Sequence, residues 1–207
     1  MKRKITFIAV IILCLSLITA GTMAYFSADI TTHNIITSGN VDIQLLEWKD
    51  ADKTEPFPKE GISGVMPDTT VTKIAEVQNT GEAEAWVRVH VEKTFTLAKG
   101  VNAEINPDLM TVHFDTTTWA EEDGTTHPYW QKQGDYCYYT KPLAPGETTA
   151  VPLFHSVSFD KTMGNDYQNA KAQVTVTVHA VQTANNPKTV PSGTLAVFAA
   201  AGWPTTK

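Results

Sequence analysis

Trp86-Val87-Arg88-Val89-His90-Val91-Glu92 alternates strictly, with Val87, Val89 and Val91 on one side and Arg88, His90 and Glu92 on the other. Successive side chains of an extended chain point to opposite faces, so this stretch predicts a strand with one buried and one solvated face. The same period of two recurs downstream, where Val174, Val176 and Val178 alternate with Thr175, Thr177 and His179. Upstream, Val41, Ile43 and Leu45 alternate with Asp42, Gln44 and Leu46. β-Branched residues and threonines fill these runs, which suits a pleated surface and disfavours helix. Further strands are predicted over residues 71–78, 136–140 and 148–159. Asn79-Thr80-Gly81, Asp123-Gly124, Gln133-Gly134-Asp135 and Pro145-Gly146-Glu147 supply the turns between them. Only Asn106-Pro107-Asp108-Leu109-Met110 reads as a short helix, with Asn106 as its cap and Pro107 in its first turn. Many strands without alternating helices predict an all-β antiparallel sandwich or barrel, with long loops and few short helices. No internal repeat is visible.

Composition narrows the function classes. The 207 residues carry 16 Lys+Arg against 22 Asp+Glu, a net charge of -6, with 42% hydrophobic and 18% charged residues. A chain this apolar and this weakly charged is not disordered, and it is long enough for one domain with a sizeable core. An acidic balance with no basic cluster beyond the first residues argues against a nucleic-acid partner. Two cysteines are too few for a disulfide-dense miniprotein or a cysteine-type zinc module.

Met1-Lys2-Arg3-Lys4 is followed by an apolar run from Ile5 to Ile18, interrupted by Thr6 and Ser16. A basic opening and a short apolar stretch predict a secretory signal peptide over residues 1–24. The run is shorter than the ~20 residues of a membrane span, so a retained anchor is the alternative. Thr22-Met23-Ala24 puts small residues where a signal peptidase reads, which predicts cleavage between Ala24 and Tyr25. The mature chain then has 13 basic and 22 acidic side chains, a net charge of -9. Cys14 leaves with the signal, and Cys137 stays as a single thiol. It is expected to act as a small buried hydrophobe, the alternative being a bridge between two molecules. Residues 25–38 form an N-terminal segment, 39–184 the sandwich, and 185–207 a tail. That tail holds Pro187, Pro191, Gly193 and an alanine-rich piece expected to form a helical turn or docking segment. No Leu-Pro-x-Thr-Gly sorting signal precedes that piece. Residues 50–64, with Pro56, Pro58, Gly61 and Gly64, read as a long surface loop.

Searching for chemistry yields little. None of the six histidines has the His-Glu-x-x-His spacing that puts two imidazoles one helical turn apart. His90 and Glu92 share a strand face, but a solvated polar face accounts for them. Asp50-Ala51-Asp52 imitates the start of a calcium loop, whose sixth and twelfth positions here are Glu55 and Gly61 rather than glycine and glutamate. Glu121-Glu122-Asp123-Gly124 reads as a solvated acidic turn, with weak calcium binding as the alternative. Gly61-Ile62-Ser63-Gly64 lacks the spacing of a nucleophile elbow, and no phosphate-cradling glycine loop or dinucleotide fingerprint occurs. Trp119, Tyr129 and Trp130 are candidates for a carbohydrate platform, against which stands ordinary core packing. The expectation is a protein with no catalytic residues, no cofactor and no metal needed for folding.

The junction Gly21-Thr22-Met23-Ala24-Tyr25-Phe26-Ser27-Ala28-Asp29, followed by Asn34-Ile35-Ile36-Thr37-Ser38-Gly39-Asn40-Val41-Asp42-Ile43, resembles the entry of the TasA/camelysin family. Val77-Gln78-Asn79-Thr80-Gly81 with Trp86-Val87-Arg88-Val89 is similar to that family's second and third strands. Ser158-Phe159-Asp160, Met163-Gly164-Asn165 and the run from Val176 to Gln182 resemble its closing region. The resemblance implies a jelly-roll β-sandwich and export by a SipW-type signal peptidase. It further implies residence in the biofilm matrix or at the surface of a Gram-positive cell, with fibres built by N-terminal strand exchange. The implied partners are further copies of the chain and other matrix or surface proteins. A casein-cleaving surface metallopeptidase, as camelysins are described, is one alternative; a non-polymerising adhesion or accessory module is another. In the first reading residues 25–37 are the donor strand, because Phe26, Ala28 and Ile30 alternate with Ser27, Asp29 and Thr31. In the other, the same segment folds back as the first strand of its own sandwich.

Overall fold

The computed structural model describes residues 26–29, 33–38, 41–184, 186 and 195–204. In chain order the strands are β1 (Phe26–Asp29), β2 (His33–Ser38), β3 (Ile43–Trp48), β4 (Ile62–Val65), β5 (Thr70–Asn79) and β6 (Ala85–Thr96). They continue with β7 (Met110–Phe114), β8 (Thr118–Ala120), β9 (Thr126–Pro128), β10 (Trp130–Gln133), β11 (Tyr136–Leu143), β12 (Phe154–Phe159) and β13 (Lys171–Gln182). Two sheets pack in layers, as an all-β sandwich requires. The larger has the order β10-β11-β6-β13-β1-β4, with β2 also on β13; the smaller has the order β3-β5-β12-β7. β8 and β9 form a separate hairpin. The helical content among the described residues is three 3-10 turns, at Pro107–Leu109, Asn165–Tyr167 and Ala196–Ala199.

Alternation is what fills the space between the sheets. Ala85, Val87, Val89 and Phe95 of β6, and Val174, Val176, Val178 and Ala180 of β13, face Ile43, Leu45, Ala75, Val77, Phe154, Val157 and Phe159 of the smaller sheet. Each buried valine, leucine or phenylalanine contributes on the order of 1.5–3 kcal/mol, which makes this seam the main source of stability. β6 and β13 are antiparallel over their whole length, from Lys171↔Thr96 to Gln182↔Ala85.

Turn residues act through specific contacts. The Asn79 side chain is fully buried; its amide donates to the carbonyls of Ala83 and Leu143 at 2.8 and 2.9 Å, and its oxygen accepts from Gly81 N at 3.0 Å. Gly81 is needed for close approach, since a Cβ there would lie 2.6 Å from the backbone nitrogen of Asp42. The Asn106 side chain caps the first 3-10 turn by accepting from Asp108 N at 3.0 Å.

The structure departs from the sequence-based expectation in three places. β1 and β2 run parallel to β13 in an otherwise antiparallel sheet. A parallel neighbour cannot arrive by a tight hairpin and needs a long crossover; here the crossover is the rest of the sandwich. Residues 148–153 are irregular and β12 begins at Phe154. The loop over 50–64 contains β4 at its end, and it is fastened to both faces of the smaller sheet. On the outer face Glu76 accepts from Lys53 Nζ at 2.5 Å and from Trp48 Nε1 at 3.2 Å. On the inner face Lys73 Nζ lies 2.9 Å from Glu47 Oε1 and 3.6 Å from the centre of the Phe57 ring.

Candidate functional site

Two surfaces stand out, both on the larger sheet and both built on β13. The first is its N-terminal edge. β1 pairs with the start of β13 (Ser27↔Lys171, Ala28↔Ala172, Asp29↔Gln173), and β2 with its end, from His33↔Val176 to Val181↔Ser38. β4 closes the sheet beyond β1, with Phe26↔Val65 and Ala28↔Ile62. Of the donor-face residues, Ala28 therefore stands opposite Ala172, whose side chain is buried in the core, and Phe26 stands opposite Val65. Ile30, the signal peptide, Cys14 and the cleavage residues Ala24 and Tyr25 lie outside the described residues. Ile35 on β2 is 43% exposed, one of two large apolar side chains among the described residues that are open to solvent.

The second surface is the outer face of β6, β13 and β11, where residues 195–204 lie as a strap. Alternation places Trp86 and Arg88 of β6 with His179 and Val181 of β13 on this outer face, yet Trp86 and Val181 are almost fully buried. The strap explains this: Val197 and Ala200 cover Trp86 and Val181 in a hydrophobic cluster separate from the main core, joined by Tyr138, Phe198 and Trp203. Asn186 pins the strap at Ala201, its side-chain oxygen accepting from Ala201 N at 2.7 Å. Arg88 pins the far end. Its guanidinium lies between the rings of Tyr136 and Trp203, 3.9 and 4.7 Å from their centres, and Nη2 donates to the carbonyl of Pro204 at 3.0 Å. Nε and Nη2 also lie 3.2 Å from Nδ1 of His179. A guanidinium has only donors, so Nδ1 accepts and the neutral imidazole carries its proton on Nε2. Among the described residues that Nε2 is buried without a hydrogen-bond partner, as is Nε1 of Trp86. His179 is 0% exposed, and burial first, then the charges of Arg88 and His90, lower its pKa from 6.5 to about 4.

The remaining candidates resolve into packing and turns. Asp50 caps its own loop, accepting from the Thr54 hydroxyl and from the backbone nitrogens of Thr54 and Glu55; these bonds hold its carboxyl below its ordinary value. Glu121 pairs with His127 at 3.1 Å across the β8–β9 hairpin, and Asp123 accepts from Thr125 N in the turn. Trp119 Nε1 donates to Thr140 Oγ1, Trp130 is buried with Nε1 donating to the carbonyl of Val151, and Tyr129 stacks on Tyr139. These three aromatics are joints between strands and do not form one open platform. His90 packs on Tyr136, and Ser63 lies on β4. Cys137 is free and buried in the core, where burial raises its thiol pKa.

Linear spacing missed one pair, while the alanine-rich tail piece, expected as a helical turn or docking segment, forms a 3-10 turn at Ala196–Ala199 that docks on the sheet. His113 and His155 stack at 6.1 Å because β7 and β12 are neighbours, and His113 Nε2 lies 2.8 Å from Ser158 Oγ. Among the described residues no three His, Cys, Asp or Glu side chains gather as metal ligands would. The strap was signalled by Trp86 and Val181, two large apolar side chains on the otherwise polar phase of their strands. No family model, curated protein or solved structure matches the chain.

Proposed function

We propose that the chain is a secreted structural protein of the cell surface or biofilm matrix, assembling into fibres by N-terminal strand exchange. The observation that carries this reading is the place of β1 and β2. They attach to the larger sheet by main-chain pairing, both parallel to β13 from Ser27↔Lys171 to Val181↔Ser38, with β1 also antiparallel to β4. Such pairing is indifferent to which copy supplies the strand. A neighbour's residues 25–38 can take the same register, so exchange loses no contact and links one copy to the next. The resemblance of the N-terminal junction to the TasA/camelysin family and its secretory pattern point the same way. The proposal gives the chain no catalytic residue, no cofactor and no nucleic-acid partner.

The test is electron microscopy of mature protein starting at Tyr25, alongside a Phe26→Asp variant and a chain lacking residues 25–37. Fibres are expected from the wild type; folded, soluble monomers are expected from both variants. Excised peptide added to the truncated chain should restore its thermal stability. Fibres as abundant from Phe26→Asp as from the wild type would sink the reading. A second reading, a non-polymerising accessory module, has a specific observation in its favour, because the pairing already closes within one chain. A wild type that stays monomeric at every concentration would select it.

A further inference from the structure

We propose that Arg88 is the centre of a carboxylate-binding site, covered by the chain's own Trp203 and Pro204. Its ligand is an acidic peptide segment that presents an aromatic side chain beside a carboxylate. Apart from Arg3, Arg88 is the only arginine in a chain of 16 basic residues. Arginine differs from lysine in its planar fork, which stacks on aromatic rings and matches a carboxylate edge-on. Arg88 has the stacking half of that arrangement, between Tyr136 and Trp203. It lacks the other half. Among the described residues its hydrogen bonds go to a neutral imidazole and a backbone carbonyl, although the chain carries 22 acidic side chains.

Two further polar atoms mark the strap as an imperfect filling. Trp86 Nε1, in the cluster that the strap covers, and His179 Nε2, on the ring that contacts Arg88, are buried donors without acceptors among the described residues. A buried donor left unpaired loses its hydration without replacement, a cost that a ligand bringing oxygen acceptors would relieve. The strap can leave without opening the main core, because its apolar contacts form their own cluster. The Pro204 carbonyl, 3.0 Å from Nη2, stands where a ligand oxygen would, and the Trp203 ring stands where the ligand's aromatic side chain would.

The test uses N-acetyl-tryptophan, which joins an indole to a carboxylate, and N-acetyl-tryptophanamide, its uncharged counterpart. Calorimetric titration of the full-length Trp203→Ala variant should show the acid binding at least tenfold more tightly than the amide. Adding Arg88→Gln to that variant should abolish the difference. Equal binding of acid and amide, or binding of neither, overturns the proposal and leaves Arg88 as a fastener of the strap. The wild type gives a second, independent reading: saturating acid, but not amide, should speed proteolysis within residues 195–204. An unchanged cleavage rate with the acid counts equally against the site.

Discussion

His179 and Lys73 show at the residue scale how this sandwich handles buried charge. The folded pKa of His179, about 4, lies below its ordinary 6.5, so the unfolded chain takes up the proton first as pH falls. The stability that neutral His179 represents is complete above pH 6.5 and lost progressively down to pH 4, at up to about 1.4 kcal/mol per pH unit. Asp50, Asp123 and Asp160 have pKa values lowered from 3.8, so what they contribute fails only at more acid pH. Urea melts between pH 7 and 4 should therefore lose about 3 kcal/mol in the wild type, and His179→Gln should flatten that slope. Lys73 poses the opposite problem. It is 4% exposed, burial lowers its pKa, and Glu47 partly opposes the shift. Lys73→Met alone leaves the buried Glu47 carboxylate without this cation and should cost about 3–5 kcal/mol. The double variant Lys73→Met/Glu47→Leu should recover most of that loss in the same denaturant titration, because two packed apolar side chains need no counter-charge.

At the scale of elements, the strap is the piece whose removal is easiest to read. Val197→Asp places a charge against Trp86 and Val181 and should detach residues 195–204. The circular dichroism of the sandwich should persist while the strap becomes cleavable by protease; loss of the sheet signal would show instead that the two hydrophobic clusters are one cooperative unit. The long strands were legible because one face of each is wet and the other dry: β6 and β13 follow the alternation of Val87, Val89, Val174 and Val176. β8 and β9 are three residues each and β10 four, bounded by Asp123-Gly124 and Gly134, too short for any period to declare itself. The parallel lie of β1 and β2 was not legible either. Alternation fixes which face of a strand is buried but carries no information about the direction of its neighbour. The stack of Arg88 between two rings joins residues 88, 136 and 203, a proximity that exists only after the sheet has formed and the tail has docked.

At the scale of the whole molecule, the first and last strands lie side by side and point the same way. Phe26–Asp29 runs beside the start of β13, and β13 ends at Gln182, far along the same line. A force drawing the two ends of the chain apart therefore pulls these neighbours in opposite directions along their own length. Their main-chain bonds would share the load and have to fail together, whereas a hairpin pulled at its open end peels one bond at a time. Forced unfolding is governed by the unfolding rate rather than by equilibrium stability. Stretching single tethered molecules by their termini should accordingly give higher rupture forces than pulling the same protein across β8 and β9. The geometry makes the sandwich a sliding joint, strongest along the axis on which a thread carries tension.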